Sequence, residues 1–119
     1  MSYKQTIGKF GENIAKDYLV KRGYKIIGLN QKVSFQEVDI IAQKGEILVF
    51  IEVKTRLSSI FGGAEDAFDF KKSGHLEKAL EFYIYKNNLD EDFVRLDFIS
   101  VDISREKKRA KIKHYKGVI

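Results

Sequence analysis

Three charged residues, Asp39, Glu52 and Lys54, are interspersed with the apolar residues of two segments that read as buried strands. The stretch covers residues 37–56 and reads EVDIIAQKGEILVFIEVKTR. A glycine-containing pair near its middle, Lys44-Gly45, is typical of a tight hairpin turn, so the flanking segments are predicted to be two antiparallel strands. Carboxylate oxygens are the ligands that hard divalent cations prefer, and a lysine ammonium group can hold water or a phosphate oxygen. The residue types therefore predict a metal site with a lysine beside it.

The predicted turn determines which side chains of the two strands meet. A two-residue turn at positions 44–45 places Asp39 opposite Phe50 and makes Asp39 and Glu52 diagonal neighbours, about 7–8 Å apart. Side chains alternate along a strand, so the two faces of the hairpin differ. One face is expected to carry the charges, with Glu37, Asp39, Phe50, Glu52 and Lys54. The other is expected to be apolar core, with Val38, Ile40, Ile47, Val49, Ile51 and Val53.

Carboxylates that meet beside apolar side chains repel one another and lose hydration, so each of them tends to take up a proton. A divalent cation removes both penalties, and Mg²⁺ or Mn²⁺ commonly binds through one or two carboxylates together with water. We therefore expect Mg²⁺ or Mn²⁺ at Asp39 and Glu52, with Lys54 on a water or phosphate oxygen. The alternative interpretation is a salt bridge among strand-end charges that face solvent.

The hydrophobic pattern predicts the elements that must position these residues. Apolar residues recur at helical spacing in two segments, and apolar runs typical of strands fill five others. The predicted helices cover residues 2–22 and about 70–87, and the predicted strands cover residues 24–30, 36–43, 46–56, 93–103 and 109–115. This order, αβββαββ, predicts an α/β fold in which helices pack against a mixed sheet. Residues 57–63 are predicted to form a loop with two glycines. These glycines are expected to give the loop backbone conformational freedom and to let another group approach it closely.

Length and composition narrow the class of protein. A chain of 119 residues fits one domain, so residues 1–119 are predicted to form a single domain. The sequence contains no cysteine and only two histidines, which excludes disulfides, thiolate zinc sites and a cysteine nucleophile. The first ten residues lack the apolar core of a signal peptide, and no apolar run is long enough to span a membrane. We expect a cytoplasmic protein with no membrane partner.

Basic residues are concentrated near the end of the chain. Residues 104–117 contain seven lysines and arginines against one glutamate, a local charge of +6, whereas the rest of the chain carries −1. Such a patch attracts polyanions through counterion release, and we expect Lys107, Lys108 and Arg109 to bind nucleic acid. The alternative is a solvated hairpin whose lysines block edge pairing. Arg56 and Lys71 flank the glycine loop and are candidates for phosphate contacts, although a surface role fits each equally.

The same residues resemble a known family. Asp39, twelve intervening residues and then Glu52-Val53-Lys54 are similar to the signature of the PD-(D/E)XK nucleases, which have the restriction-endonuclease-like fold. More closely, the sequence resembles the YraN-like family of that superfamily, from about Gly8 to Val101. The segments that carry this resemblance are KFGENIAKDYLVKRGYKIIGLN, EVDIIAQ, LVFIEVKTR, FGGAEDAF and VRLDFISV. One position departs from the pattern, because the family usually has glycine where this chain has Gln36.

The resemblance implies a restriction-endonuclease-like fold, roles for individual residues and a substrate. Asp39 and Glu52 would be metal ligands, with the Val53 carbonyl as a third and Glu12 of the first helix as a further ligand. Lys54 would orient the attacking water. The implied activity is metal-dependent hydrolysis of phosphodiester bonds, in structured or branched DNA rather than RNA. One small domain would need a partner to span such DNA, and a homodimer would meet that need. Two alternatives stay open: a catalytically silent nucleic-acid-binding or scaffolding module of the same fold, and an RNA-directed protein.

Overall fold

In the part of the chain that the structure describes, two α-helices and five β-strands follow one another in the order αβββαββ, as predicted. The computed structural model describes residues 2–57 and 70–118. The elements are α1 (Tyr3–Lys21), β1 (Lys25–Val33), β2 (Gln36–Lys44), β3 (Ile47–Leu57), α2 (Phe70–Lys86), β4 (Val94–Ser104) and β5 (Arg109–Tyr115), with a single 3₁₀ turn at Glu91–Phe93 before β4. In the described part of the chain, neither helix has the length and apolarity that crossing a bilayer requires.

Local sequence explains where α1 begins and ends. The Ser2 side chain accepts a hydrogen bond from the Gln5 backbone N–H, and the Gln5 side chain accepts one from the Ser2 backbone N–H. This reciprocal capping box satisfies backbone donors that the first helical turn leaves without partners. At the other end, Gly23 adopts a positive φ of 88°, which turns the chain towards β1. The predicted helix at 2–22 is confirmed.

The five strands form one mixed sheet in the spatial order β1-β2-β3-β4-β5. Neighbouring strands are antiparallel except for β3 and β4, which are parallel. Parallel neighbours cannot be joined by a tight turn, and α2 lies within the connection between these two strands. The predicted α/β fold with a mixed sheet is therefore confirmed.

Each face of the sheet is covered by one helix. Ala15 and Leu19 of α1 pack in one core with Ile40, Ile51 and Ile99 of the sheet. The second core joins residues of α2 to the other face, and its buried members include Leu76, Ala79, Leu80, Ile41, Phe50 and Leu96. Two cores on one sheet explain why the central strands are so apolar, since both of their faces are buried.

The β2–β3 turn differs from the prediction by one residue. Lys44 pairs with Ile47, so the two turn residues are Gly45 and Glu46 rather than Lys44 and Gly45. Gly45 takes a positive φ of 57°, the conformation that glycine adopts without steric cost. As a consequence Phe50 pairs with Ile41, and the predicted pairing of Asp39 with Phe50 is wrong.

Close packing of α1 on β3 depends on Gly11. A Cβ atom at this position would overlap the Thr55 side chain, and its distance from Thr55 Cβ would be only 2.6 Å. Gly11→Ala is therefore expected to push α1 away from β3 and to lower the free energy of unfolding by about 1–3 kcal/mol. Gly8→Ala is the matched control, because nothing lies within 4 Å of a Cβ atom there.

Gly8 is also helical, so its replacement by alanine is expected to stabilise the protein by up to about 1 kcal/mol. Urea unfolding of the two variants measures both effects. Equal stability of the two variants would contradict the close approach of α1 to Thr55.

Candidate metal and nucleic-acid site

Asp39 lies where β2 stops pairing with β3. The register of the two strands runs from Lys44 and Ile47 to Ile40 and Ile51, and no pair follows Ile40 in this ladder. Instead the Val53 backbone N–H donates a hydrogen bond of 2.8 Å to Asp39 Oδ2. The carboxylate thus takes the place of a strand partner. The Asp39 carboxylate lies against the backbone of Val53, which is between Glu52 and Lys54. This contact brings Asp39 of β2 close to the charged segment of β3.

The alternation of side chains also changes at Asp39. Val38 packs in the α2-side core together with Ile41, whereas Ile40 packs in the α1-side core. The prediction that Val38 shares a core with Ile40 is therefore wrong. A regular strand would send residues 38 and 40 to the same side. The departure coincides with the end of the β2–β3 ladder, next to the residue whose carboxylate accepts the hydrogen bond from Val53.

Glu52 and Lys54 are presented by β3, the strand at the centre of the sheet. They alternate with Val53 and follow Phe50, which packs in the α2-side core, so this face of β3 is as predicted. Glu52 is only 2% exposed, and Lys54 is half-buried opposite Ser100 of β4. A glutamate so deeply buried is unusual, because burying a carboxylate carries a large desolvation cost.

Glu12 of α1 approaches the same place from the helix. Its pKa is raised because it is partly buried and because the charges of Asp39 and Glu37 repel its carboxylate; Lys9 opposes the shift. Glu12 Oε1 is buried and has no hydrogen-bond partner among the described residues. The fold therefore brings a helix carboxylate towards Asp39. That proximity agrees with the part the resemblance assigns to Glu12.

Asn30 is a neighbour of this cluster that the sequence interpretation missed. Its side-chain amide lies near the Glu12 carboxylate and lowers the pKa of Glu12, which partly offsets the repulsion. Asn30 also has a positive φ of 51°, although it lies inside β1. Asparagine tolerates this conformation better than most residues do, and a strained backbone of this kind is often found at functional sites. The glycine–leucine–asparagine run in an apolar strand was the available signal.

These residues meet part of what a divalent cation requires. Their donors are carboxylate oxygens. Burial, and then repulsion from Asp39 and Glu37, raise the pKa of Glu12, and a bound cation would offset both effects. Within residues 2–57 and 70–118, however, no three acidic or histidine side chains form a complete metal cluster. Magnesium does not need one, since it usually retains several waters and binds through one or two carboxylates. The donor set therefore fits Mg²⁺ or Mn²⁺ better than an ion that demands a full protein cage.

The predicted phosphate-binding residues lie in two places. Lys107, Lys108 and Arg109 are exposed together at the turn between β4 and β5, and Arg56 is exposed near the end of β3. Lys71 lies in the first turn of α2, and its side chain is outside the described residues, as is the glycine loop beyond Leu57. Because β3 and β4 are parallel and paired up to Leu57 and Ile103, the β4–β5 turn lies beyond the same end of the sheet as Arg56.

A second polar cluster lies under α1 and is built around Asp97. Its carboxylate is fully buried and accepts two hydrogen bonds from Arg95, one from the His114 ring and one from the Gly117 backbone N–H. Burial alone would raise the pKa of Asp97, but the hydrogen bonds from His114, Arg95 and Gly117 together outweigh it and lower the pKa. Arg95 and Asp97 are two residues apart on β4, so their side chains share a face and form an ion pair.

The network continues beyond Asp97 to two tyrosines. The Tyr24 hydroxyl accepts a hydrogen bond from Arg95, and the Tyr18 hydroxyl lies 3.2 Å from His114 Nδ1. His114 was not singled out in the sequence, although alternation in β5 places Ala110, Ile112 and His114 on one face. The network connects α1, the start of β1, β4 and the end of β5. We interpret it as the polar support of the sheet rather than as part of the acidic site.

The fold and the site together define a three-layer α/β protein that carries an acidic cluster and a lysine where two central strands separate. A family model described as "Uncharacterised protein family UPF0102" matches residues 11–101. The chain belongs to this family, which is the YraN-like group that the sequence resembles. The resemblance to that family is thereby confirmed.

Proteins from distant bacteria carry the same family name. The chain is 40% identical to a UPF0102 protein of Caldicellulosiruptor bescii over 113 residues, which cover 94% of each chain. It is 42% identical to one of Flavobacterium psychrophilum over 115 residues, covering 97% of this chain and 94% of the relative. A UPF0102 protein of Carboxydothermus hydrogenoformans is 38% identical over 116 residues, with 98% and 97% coverage. In each comparison the similarity extends over nearly the whole length of both proteins.

Proposed function

We propose that this protein is a metal-dependent endonuclease of the PD-(D/E)XK type that hydrolyses phosphodiester bonds in structured or branched DNA. The observation that carries the proposal is the hydrogen bond from the Val53 N–H to Asp39 Oδ2. It holds the aspartate beside the Glu52-Val53-Lys54 segment, and this supports a site to which carboxylates from two strands and an ammonium group would contribute. The restriction-endonuclease-like fold is part of this proposal, and a mixed sheet covered by helices on both faces is consistent with it.

The residues have distinct parts in the proposed reaction. Asp39 and Glu52 would hold Mg²⁺ or Mn²⁺ together with the Val53 carbonyl, and Glu12 would add a carboxylate from α1. A divalent cation supplies Lewis acidity, which acidifies water and offsets the charge that builds up on the phosphate. Lys54 would hold the attacking water in line with the phosphorus atom and would screen the same developing charge. Glu12 would act either as this additional ligand or by holding a water beside the ion.

The basic turn between β4 and β5 provides a surface for the polyanion. Neutralising Lys107, Lys108 and Arg109 together is expected to weaken DNA binding and to flatten the dependence of affinity on salt, because fewer counterions are then released. Arg56 and Lys71 are proposed as additional phosphate contacts nearer to the acidic site. A homodimer is proposed as the way in which so small a domain spans a duplex or a junction.

The test is a cleavage assay on matched substrates. Four-way junction, linear duplex and single-stranded DNA, and an RNA of the same sequence, are incubated with the purified protein and Mg²⁺, Mn²⁺ or EDTA. The expected result is cleavage of the junction that needs the metal and is lost in Glu52→Gln. Cleavage that persists unchanged in this variant would point to a contaminating nuclease and would defeat the assignment.

A metal-binding measurement separates the proposed enzyme from a silent module of the same fold. Mn²⁺ is expected to raise the melting temperature of the wild-type protein and to have a smaller effect on Glu12→Gln. Without metal, the same variant is expected to be slightly more stable than wild type near neutral pH, since it lacks a repelled carboxylate whose pKa is raised. DNA binding with neither Mn²⁺ stabilisation nor cleavage would instead favour the silent nucleic-acid-binding module.

A further inference from the structure

A cleft of about 420 Å³ lies between α1 and the β4–β5 turn, apart from the acidic site. Its floor is apolar and its rim is cationic, and its lining among the described residues includes no carboxylate. The apolar lining residues are Phe10, Ile14, Ile103 and Ala110, and the basic ones are Arg105, Lys108 and Arg109. A cleft that combines apolar surface with three cations fits a ligand that is both flat or apolar and negatively charged.

Exposed aromatic rings extend this surface along α1. Phe10 is 54% exposed and Tyr3 is 58% exposed, and their spacing of seven residues places them on one side of the helix. The Arg105 guanidinium lies 5.2 Å from the centre of the Tyr3 ring, so a cation and an aromatic ring already face the same space. Aromatic rings beside a positively charged groove are the combination with which proteins hold unpaired bases and their phosphates.

The cleft lies beyond the acidic site along β4, on the face of the sheet that α1 covers. Glu52 pairs with Phe98, and six further residues of β4 lead to Ser104 at the start of the turn, a span of about 20 Å. Phe10 and Glu12 belong to the same helix but lie about 200° apart around its axis. The cleft is therefore a place on the surface distinct from the acidic site, at a distance that a few nucleotides of an extended strand would span.

We infer that this cleft binds single-stranded nucleic acid, with bases against Phe10 and phosphates against Arg105, Lys108 and Arg109. The inference rests on the proposed function, which it deepens by naming the unpaired arm of a branched substrate as the recognised element. An acidic peptide could satisfy the cations but would leave the exposed ring without a stacking partner. A second copy of the chain would have to bring carboxylates to the cleft. The exposed Phe10 ring beside three cations favours nucleic acid over both.

The test measures binding without metal, so that no cleavage intervenes. Fluorescence anisotropy in EDTA compares a labelled 15-residue oligothymidylate with an abasic oligonucleotide of the same length and with polyglutamate. The wild-type protein is expected to bind oligothymidylate about tenfold more tightly than the abasic strand, because only the former can stack. Phe10→Ala is expected to reduce the affinity for oligothymidylate to that for the abasic strand and to leave the latter unchanged.

Two further variants complete the design. Lys108 has a positive φ of 50°, so Lys108→Asn removes the charge with a residue that tolerates this conformation. It is expected to weaken the binding of both strands and to reduce the salt slope. Phe35→Ala is the matched control, because Phe35 is 87% exposed in the β1–β2 turn and does not line the cleft. It is expected to change neither affinity.

The outcomes distinguish this inference from the proposed function. Equal affinity of the wild type for all three polymers, or no effect of Phe10→Ala, would overturn the inference. Concentration-dependent sedimentation of the wild type that disappears in Phe10→Ala would assign the cleft to a second copy and would overturn it as well. Stacking-dependent binding without any cleavage would leave the cleft assignment standing and defeat the proposed enzyme. Cleavage of the junction that Phe10→Ala does not alter, with no preference for bases, would defeat the cleft alone.

Discussion

Asp39→Asn is expected to reduce metal-dependent cleavage by about 10³-fold, a loss of about 4 kcal/mol of transition-state stabilisation. An asparagine side chain retains an oxygen that can accept the Val53 N–H, so the junction between β2 and β3 should survive. What is lost is the negative charge, and with it the affinity for a divalent cation. We therefore expect a folded protein that still binds DNA, with little change in melting temperature, and that no longer cuts it in single-turnover assays.

Asp39→Ala separates the structural part of this residue from its chemical part. Alanine leaves the Val53 N–H without its acceptor, which is expected to cost a further 1–3 kcal/mol or so of stability. The two variants should then be equally inactive but differ in urea unfolding. Glu46→Gln is the control for loss of an acidic charge, because Glu46 is exposed in the turn at the far end of the same hairpin. Substantial cleavage by Asp39→Asn would show that this carboxylate is not a ligand.

The sequence pattern was sufficient for the order of the elements and for the faces of the central strands except at Val38, but not for the register of the hairpin. Shifting the turn from Lys44-Gly45 to Gly45-Glu46 pairs each residue of β2 with the β3 residue two positions further along the chain. Side chains have a period of two, so the shift leaves every residue on the same face. The hydrophobic pattern therefore cannot distinguish the two turns. Glycine is also compatible with either turn position, because it takes positive φ without cost.

The sequence predicts that charged residues of the candidate site lie on neighbouring strands, but it does not predict how they are arranged in space. The carboxylate of Asp39 takes the place of a ladder partner, and this follows from the separation of β2 and β3 rather than from local composition. The approach of Glu12 depends on how closely α1 packs on β3, which Gly11 permits. Asn30 has a positive φ although it lies inside a strand, and strand propensity does not predict such a conformation. These features are tertiary, so a pattern of single residues carries little trace of them.

Asp97→Asn is expected to be the most destabilising single substitution considered for this protein. The native carboxylate is fully buried and accepts hydrogen bonds of 2.8 and 2.9 Å from Arg95, 2.7 Å from His114 and 3.0 Å from the Gly117 N–H. An amide has one acceptor oxygen and a donor group that would face these donors. It also leaves the Arg95 guanidinium without its countercharge. The expected cost is about 3–5 kcal/mol, enough to lower the melting temperature by roughly 10–20 °C in a chain of this size.

The pH dependence of this effect has a definite sign. The folded-state pKa of Asp97 is lowered, so its contribution to stability is present above about pH 4, the value for an unfolded aspartate, and is lost as the pH falls through the folded-state pKa. Asparagine does not titrate, so the deficit of Asp97→Asn should be largest near neutral pH and should shrink in acid. Asp92→Asn, the same change at an exposed site, should alter stability by no more than about 0.5 kcal/mol. The prediction would be wrong if Asp97→Asn lost no more unfolding free energy than this control, or if its loss grew as the pH falls. Either result would show that the buried carboxylate does not stabilise the fold.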